Sequence, residues 1–443
     1  LYVVGETSDS QRLHFGHRDG NSAIDLAVAD MLGNPPKTVI EDNTASSSYA
    51  DAETDPARVP EYIENVLTLE SVACKDWLTN KVDRSVTGRV ARQQCVGELQ
   101  LPLSDCGVVA LDYQGRSGIA TSIGHAPQVA LANVTAGSRI AVAEALTNIV
   151  GAPLHGGLSA ISLSANWMWP CKNPGEDAAL YSAVEACSDF VTALGINIPT
   201  GKDSLSMTQK YADGTKVAAP GTVIISAAGE VDEVRATVSP VIKRTVNSTL
   251  YYIDFSSAPL ALGGSALAQT LGKVGSQTPD VTDVAAFSNA FATVQRLVAK
   301  RYLAAIHDVS AGGLVTTLLE MCFSNVKIGL NFYTDGFVKY GETDIVKILF
   351  AENPAVVVQI EDTYKASAEK ILDASGVKYF PIASPIHNKV LTISHSDREY
   401  LVSIPSMRKV WYETSYQFDR MQTSGGMAEV RRDNLGLQPV SYK

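Results

Sequence analysis

From about residue 86 onward, short apolar runs alternate with longer stretches in which apolar residues recur every three or four positions, the pattern of strands alternating with helices. Residues 106–113 (CGVVALDY) read as a strand. Residues 135–150 read as a helix of small residues, with Thr135 as its N-cap and Gly151 just beyond its end. A strand at 160–164 runs into Ala165-Asn166-Trp167. Residues 176–194 predict a long amphipathic helix with Leu180, Val184, Cys187, Val191 and Leu194 on one face and Gly195 closing it. A strand at 222–228 follows. A second alternating unit begins near 247, with a strand at 250–255 and Gly263-Gly264 ahead of a helix at 265–271. Phe287, Phe291, Val294 and Val298 step by 4, 3 and 4, a helix face. A strand at 303–307 breaks at Asp308-Val309-Ser310-Ala311-Gly312-Gly313, a helix at 314–322 follows, and strands are expected at 355–360 and 390–393.

The first 85 residues lack this rhythm. Residues 1–4 are strand-like, and 24–32 predict a short helix stopped by Gly33-Asn34-Pro35-Pro36. Residues 37–60 are polar and read as a linker, and 62–78 carry a plausible helical face. Periodicity fades again over 424–443, which reads as a second linker.

One polar stretch interrupts the pattern. Residues 196–207 (INIPTGKDSLSM) place Pro199, Gly201, Lys202 and Asp203 between a helix and a strand, which predicts a loop with exposed amides. A cation and a carboxylate there suit a polyphosphate or acyl phosphate; a polar turn is the bland alternative. The stretch is no Walker A loop, because Asp203 stands where that motif requires Ser or Thr.

Composition narrows the class. At 443 residues, 45% apolar and 19% charged, the chain is globular with room for two to four domains. A net charge of −11 argues against a nucleic-acid-binding surface. No apolar run has the length of a membrane helix. Six scattered cysteines without a C-x-x-C fit buried thiols in a reducing cytosol, so a cytoplasmic protein is expected.

Three features invite a chemical reading. Asp105 stands at the entry of a strand. Glu144 and Asn148, four apart, share one helix face with Ala141 and Ala145, residues small enough to admit a ligand. Asp308 to Gly313 forms a strand-to-helix turn whose amides favour phosphate. Asp, Glu and Asn are hard oxygen ligands of the kind that hold Mg²⁺ beside nucleotide phosphates. Each also has a bland reading as a cap, a turn or a solvated helix residue, and His307 reads as a structural strand-end histidine.

With these residues in view, the chain resembles the phosphoribosylformylglycinamidine synthase family, in its large single-chain form. The stretches that carry the resemblance are DRSVTGRVARQQCVG (83–97), LPLSDCGVVALD (101–112), AEALTNI (143–149), LSANWM (163–168), PGEDAALYSAV (174–184), GKDSLSM (201–207), LGGSALAQTLG (262–272) and HDVSAGGL (307–314). The resemblance implies an α/β (α+β) fold, an AIR-synthetase-like repeat. Its N-terminal subdomain contributes strands to a shared barrel, and a C-terminal α/β subdomain follows. On this reading 1–36 is the end of a first repeat and 37–85 a partly helical connector. Residues 86–244 and 245–425 are the two subdomains of a second repeat, and 426–443 leads toward a glutaminase domain. The chain is then expected to be a fragment without the first repeat or the glutaminase, inactive by itself.

The implied reaction is ATP-dependent amidation of formylglycinamide ribonucleotide with glutamine-derived ammonia. ATP phosphorylates the formamide oxygen and ammonia displaces phosphate. The resemblance further implies a structural ADP with Mg²⁺, its metal held by Asp105, Glu144, Asn148 and Asp308 and its nucleotide by Ser104 and Ser310, with Gly312 and Gly313 at the phosphate turn. It implies that Asn166, Lys202 and Asp203 face a catalytic site shared with the first repeat, although the short form of the family has Gly-Asn in place of Lys202-Asp203. Self-association of a fragment with an uncovered barrel face is expected. The alternatives are a complete ATP-dependent kinase or cyclo-ligase of the same fold, active as a homodimer, and a scaffold that has lost its nucleotide.

Overall fold

The structure, a computed structural model, describes the 443 residues except 34–35, 46–47, 80, 83, 85, 244–246 and 438–443. The expected helix stop at Asn34-Pro35, the Asp83 end of the first family-like stretch, the subdomain boundary at 244–245 and the last six residues of the expected 426–443 linker therefore lie outside the described residues. The chain divides into two units, Leu1–Asp42 and Asn43–Lys443. No helix among the described residues is long and apolar enough to cross a membrane.

The smaller unit is an antiparallel hairpin of Arg12–Gly16 and Ser22–Ala27, followed by a short helix, Val28–Leu32. Residues 1–4 have no regular structure, contrary to the strand expected there. The helix expected at 24–32 is shorter, because Ile24 and Asp25 are claimed by pairing with Phe15 and His14. Arg12 and Asp25 close an ion pair across the hairpin at 2.7 Å.

The larger unit opens without regular structure in the described part of 43–55, yet it is not a free linker: Asp51 accepts hydrogen bonds from Ser276 N at 2.6 Å and Oγ at 3.0 Å. The helix expected over 62–78 is two pieces, Val59–Thr68 and Asp76–Thr79, because Leu69 turns to an extended conformation. Its predicted face holds in the first piece, where Tyr62, Ile63, Val66 and Leu67 are buried.

Two mixed sheets follow. The first has six strands in the spatial order Val90–Arg92, Gly107–Ala110, Gly118–His125, Thr222–Val231, Ser162–Met168 and Asn197–Ser204. All neighbours are antiparallel except the last pair, which runs parallel and is joined through the helix Glu176–Leu194. That helix has the expected bounds and closes at Gly195 with φ 72°, the left-handed conformation glycine tolerates. Its buried face is shifted, however: Val184 is exposed, and Ala183, Ala186 and Phe190 join Cys187, Val191 and Leu194 in the core. The helix Val134–Ile149 lies against Gly118–His125 and Thr222–Val231. Its N-cap is Asn133, whose side chain accepts from Ala136 N at 3.1 Å, rather than Thr135.

The stretch 196–207 is a strand rather than a loop over most of its length: Asn197–Ser204 forms the sheet edge. An edge accepts Pro199, which cannot donate to a neighbour. Gly201 is demanded by the pairing, since a Cβ there would stand 2.1 Å from Ala165 O.

The second sheet has seven strands in the order Leu303–Val309, Ala355–Glu361, Ser248–Asp254, Tyr379–Ile386, Gly329–Tyr333, Val390–His395 and Arg398–Ser403. Every residue of Ser248–Asp254 is buried. Leu250 and Tyr252 enter one core, with the helices Val59–Thr68, Gly313–Phe323 and Ile404–Gln422, while Tyr251 and Ile253 enter a second core shared with the six-stranded sheet. The central strand thus supplies apolar side chains to both faces, which explains its unbroken apolar run. The second core fuses the two sheets into one body.

The helix Ile404–Gln422 had no clear signal in the sequence. Its buried stripe of Ile404, Met407, Arg408, Trp411, Tyr412, Ser415, Tyr416 and Asp419 has helical spacing but few aliphatic residues. Beyond it, where a linker was expected, Met427–Asp433 is a helix that buries Ala428.

Helix and sheet approach most closely at Gly124. A Cβ there would lie 2.2 Å from Ala141 O and 2.3 Å from Ala145 N, both backbone atoms of the covering helix. Gly124→Ala is expected to destabilise the chain by about 1–3 kcal/mol through overpacking. Urea unfolding followed by circular dichroism measures it, and an unchanged midpoint would contradict this packing.

Candidate functional site

The strand Leu303–Val309 ends the second sheet on one side and carries His307 and Asp308, both buried. Asp105 reaches them from the segment before Gly107–Ala110, in the other sheet. His307 Nδ1 is 2.8 Å from Asp105 Oδ1 and 3.3 Å from Asp308 Oδ1, while Nε2 is 3.2 Å from Glu320 Oε2. Only the Nε2 contact has hydrogen-bond alignment; Nδ1 and Asp308 Oδ2 are buried without a hydrogen-bond partner. Glu320 is fixed in turn by Trp411 Nε1, which donates to its other oxygen at 3.1 Å.

Electrostatics follow from this enclosure. Burial pushes the Asp105 carboxyl up to about 6, against the opposing pull of the His307 imidazole. Burial alone would discharge His307, but Asp105, with Asp308 and Glu320, holds the imidazole well above its ordinary range. One ligand atom each from Asp105, His307 and Asp308 lie within 4.8 Å of one another, close enough to hold one cation.

Of the four carboxylate and amide ligands expected from sequence, Asp105 and Asp308 are therefore brought together. Glu144 and Asn148 lie one helical turn apart and clamp the end of the neighbouring strand. Glu144 Oε2 accepts from His125 N at 2.7 Å, and Asn148 Nδ2 donates to Ile123 O at 3.0 Å. Glu144 also raises the His125 imidazole above its ordinary value.

Glu144 and Ser310 line a cleft of about 370 Å³, together with Lys75, His125, Gln269 and Glu352. Ser310 is two residues from Asp308, so cleft and cluster share one strand end. Lys75 points its ammonium at Glu70 O and Ala73 O, and burial lowers its pKa. The turn amides that the sequence assigns to phosphate have protein acceptors here. Gly312 N donates to Glu352 Oε1 at 2.7 Å, and Gly313 N to Ser310 O at 2.9 Å. Glu352 also accepts from Ala266 N at 2.8 Å, and burial raises its carboxyl to about 7 against those two amides. Gly312 has φ 91°, and a Cβ at Gly313 would meet Phe350 backbone at 2.7 Å, so packing alone requires both glycines. Ser104 donates through Oγ to Cys106 O at 3.1 Å and, with Asp105, borders a broader concavity of about 840 Å³ on the six-stranded sheet.

That concavity is the sheet face opposite the helices. Gly118–His125 alternates strictly, with Ile119, Thr121, Ile123 and His125 exposed. Asn166 pairs with Lys202 across the parallel edge, and their parity with Ser162, Ser164 and Thr200 places both on this open face. Asp203, one residue on, belongs to the opposite face. Lys202 Nζ donates to Ser204 Oγ at 2.6 Å.

Lys75, His125 and Glu352 carry no spaced motif that a sequence displays. His307 reads as a lone strand-end histidine in the sequence; the structure surrounds it with carboxylates from positions 105, 308 and 320.

Comparison with known proteins agrees with this architecture. The model described as FGAR-AT PurM_N-like domain matches residues 74–230, and the AIR synthase related protein, C-terminal domain, matches 253–393. The probable phosphoribosylformylglycinamidine synthase, chloroplastic/mitochondrial, of Arabidopsis thaliana is 36% identical over 417 residues, 93% of this chain and 29% of that protein. The Homo sapiens phosphoribosylformylglycinamidine synthase is 40% identical over 371 residues, 82% of this chain and 27% of its own length. The chain thus spans under a third of these relatives. T. maritima PurL complexed with FGAR superposes with a TM-score of 0.62 at 14% identity, over 80% of this chain and 54% of that one. T. maritima PurL complexed with ATP gives 0.52 at 14% identity, over 68% and 46%. Two adjoining family matches, relatives at 36–40% identity along most of the chain and the shared fold place this chain in the phosphoribosylformylglycinamidine synthase family, as an AIR-synthetase-like region of it.

Proposed function

We propose that this chain is the second AIR-synthetase-like repeat of an ATP-dependent ligase that amidates formylglycinamide ribonucleotide, and that it contributes a nucleotide–divalent-cation site and one wall of the catalytic site. The observation that carries the reading is the convergence of Asp105, Asp308 and His307 beside the cleft that holds Lys75, Glu144 and Ser310. The buried Asp308 Oδ2, which has no hydrogen-bond partner, fits a cation that would draw on it together with Asp105. A bound Mg²⁺ would neutralise phosphate charge there. Lys75 would supply a positive charge in the same cleft, and Ser310 a hydroxyl and an amide at the strand end. Asn166 and Lys202 would serve the catalytic wall on the open sheet face. Glutamine as ammonia donor, the first repeat and a glutaminase belong to the same reading, with the relatives' greater length as their support.

Thermal unfolding with ADP should show a stabilisation that needs Mg²⁺. At a concentration about 100 times the dissociation constant it should reach roughly 2.7 kcal/mol, and Asp105→Ala should abolish it. No shift, together with no nucleotide released on denaturing the purified chain, would contradict the assignment.

Cation binding should strengthen with rising pH. A ligand carboxylate must be ionised, and Asp105 carries a proton below about 6. Affinity measured by calorimetry at pH 5, 6, 7 and 8 should therefore fall by up to about tenfold per pH unit below 6. Affinity that is flat across this range would remove Asp105 from the ligand set.

The open sheet face carries Val109, Ile119 and Ile123, all exposed, and is the surface proposed to meet another repeat. Sedimentation at tens of micromolar should detect dimers of the chain alone, and Ile123→Asp should return it to monomer. A wild-type chain that stays monomeric would count against this surface.

A further inference from the structure

Two hollows of about 540 and 550 Å³ lie side by side on the seven-stranded sheet, and Tyr340 and Phe380 border both. Neither shares a residue with the cleft or the carboxylate cluster. We infer that together they bind a free aliphatic polyamine, a chain of ammonium groups spaced by methylenes.

The charge comes first. Glu369 and Asp373, four apart on the helix Asp362–Ser375, line the larger hollow. Each accepts one tyrosine hydroxyl: Tyr251 Oη donates to Glu369 Oε1 at 2.7 Å, and Tyr379 Oη to Asp373 Oδ1 at 2.6 Å. Among the described residues neither carboxylate has an ion-pair partner, and like charges at this spacing repel. Asp335 adds a third carboxylate against the ammonium of Lys339, so this hollow is net negative. In the smaller hollow Asp254 and Lys378 pair at 3.1 Å, which leaves the charge of Glu342.

The second observation is a buried polar group. Tyr252 lines the smaller hollow and is 4% exposed, and its hydroxyl has no hydrogen-bond partner among the described residues. A buried hydroxyl left unpaired is costly, and a ligand ammonium would satisfy it.

The aromatic wall selects the shape of the ligand. Phe380 stacks on Tyr252 and on Tyr340, and Lys378 Nζ stands 5.3 Å from the Tyr340 ring centre. A planar ring would therefore find these faces taken, whereas the wall already carries one ammonium. Tyr340 is half exposed and forms an apolar ridge between two negative hollows. Cationic ends in the hollows and methylenes along the ridge match that surface.

The test uses spermidine as the probe on the full 443-residue chain, with Mg²⁺ present to fill the cation site proposed above. Calorimetric titration should show one saturable site. Hexaamminecobalt(III), with the same charge and no methylenes, should bind about tenfold more weakly or worse. Tyr340→Ala should weaken spermidine about tenfold, and Tyr340→Phe, which keeps the ring, should bind as the wild type does. Glu369→Gln combined with Asp373→Asn keeps an acceptor for each tyrosine hydroxyl and should also weaken spermidine about tenfold. Equal affinity for hexaamminecobalt(III), or undiminished binding by Tyr340→Ala, would reduce the effect to the counter-ion atmosphere of an acidic chain and overturn the inference. Absence of saturable spermidine binding by the wild-type chain would overturn it as well.

Discussion

The arrangement around His307 sets the terms for the rest of the structure. Asp105, Asp308 and Glu320 crowd one imidazole in a space nearly closed to water. If His307 is protonated and all three carboxylates are ionised, three negative charges against one positive leave two uncompensated. Each uncompensated buried ion costs several kcal/mol. The protein can retain protons, which is what the elevated Asp105 pKa expresses, or accept a cation. Both outcomes are available to the same four side chains. Two cationic side chains relieve part of the imbalance from a distance: Arg92 acts on Asp105, and Lys75 on Glu320, although Lys75 spends its donors on backbone carbonyls.

Glu352 handles charge differently in the neighbouring cleft. It occupies the amides of Gly312 and Ala266, each at the start of a helix. Such amides are a ready anion site, and here an internal carboxylate fills it. The glycine-rich turn is therefore shaped first by packing, against Phe350 and Thr316, and only secondarily by chemistry. Both amides donate to the same oxygen, Glu352 Oε1, so neither turn amide is free while that contact stands.

What could be read from the sequence follows from how local each cause is. The helix Glu176–Leu194 and its glycine stop, and the Phe287–Val298 face, were legible because 3.6-residue periodicity and a C-terminal glycine are local signals. Asp105 and Asp308 could be named as hard ligands by type, but their meeting across about 200 residues could not be seen in spacing. The 196–207 stretch misled because Pro199 and Gly201 look like loop punctuation; only the parallel partner, Ala165 in particular, turns Gly201 into a strand requirement. The helix Ile404–Gln422 was hidden because its buried stripe is made of Trp411, Tyr412, Ser415 and Asp419, whose polar atoms find partners such as Val72 O and Asp76 that a sequence does not display.

The cluster also joins two layers of the fold. Asp105 belongs to the segment feeding the six-stranded sheet, and Asp308 to the edge strand of the seven-stranded one. Between them runs the shared core, where Ile225 and Leu146 belong with Tyr251, Ile253, Ile306 and Val356. Ile306 is the residue before His307, so the same backbone that seals the apolar interface aims the imidazole. A cation held by both aspartates would tie the sheets together at the rim of that core. Conversely, loosening of the core would separate Asp105 from Asp308 and dissolve the ligand set. A ligand held at the cluster would therefore favour the docked state of the two sheets by its differential affinity alone.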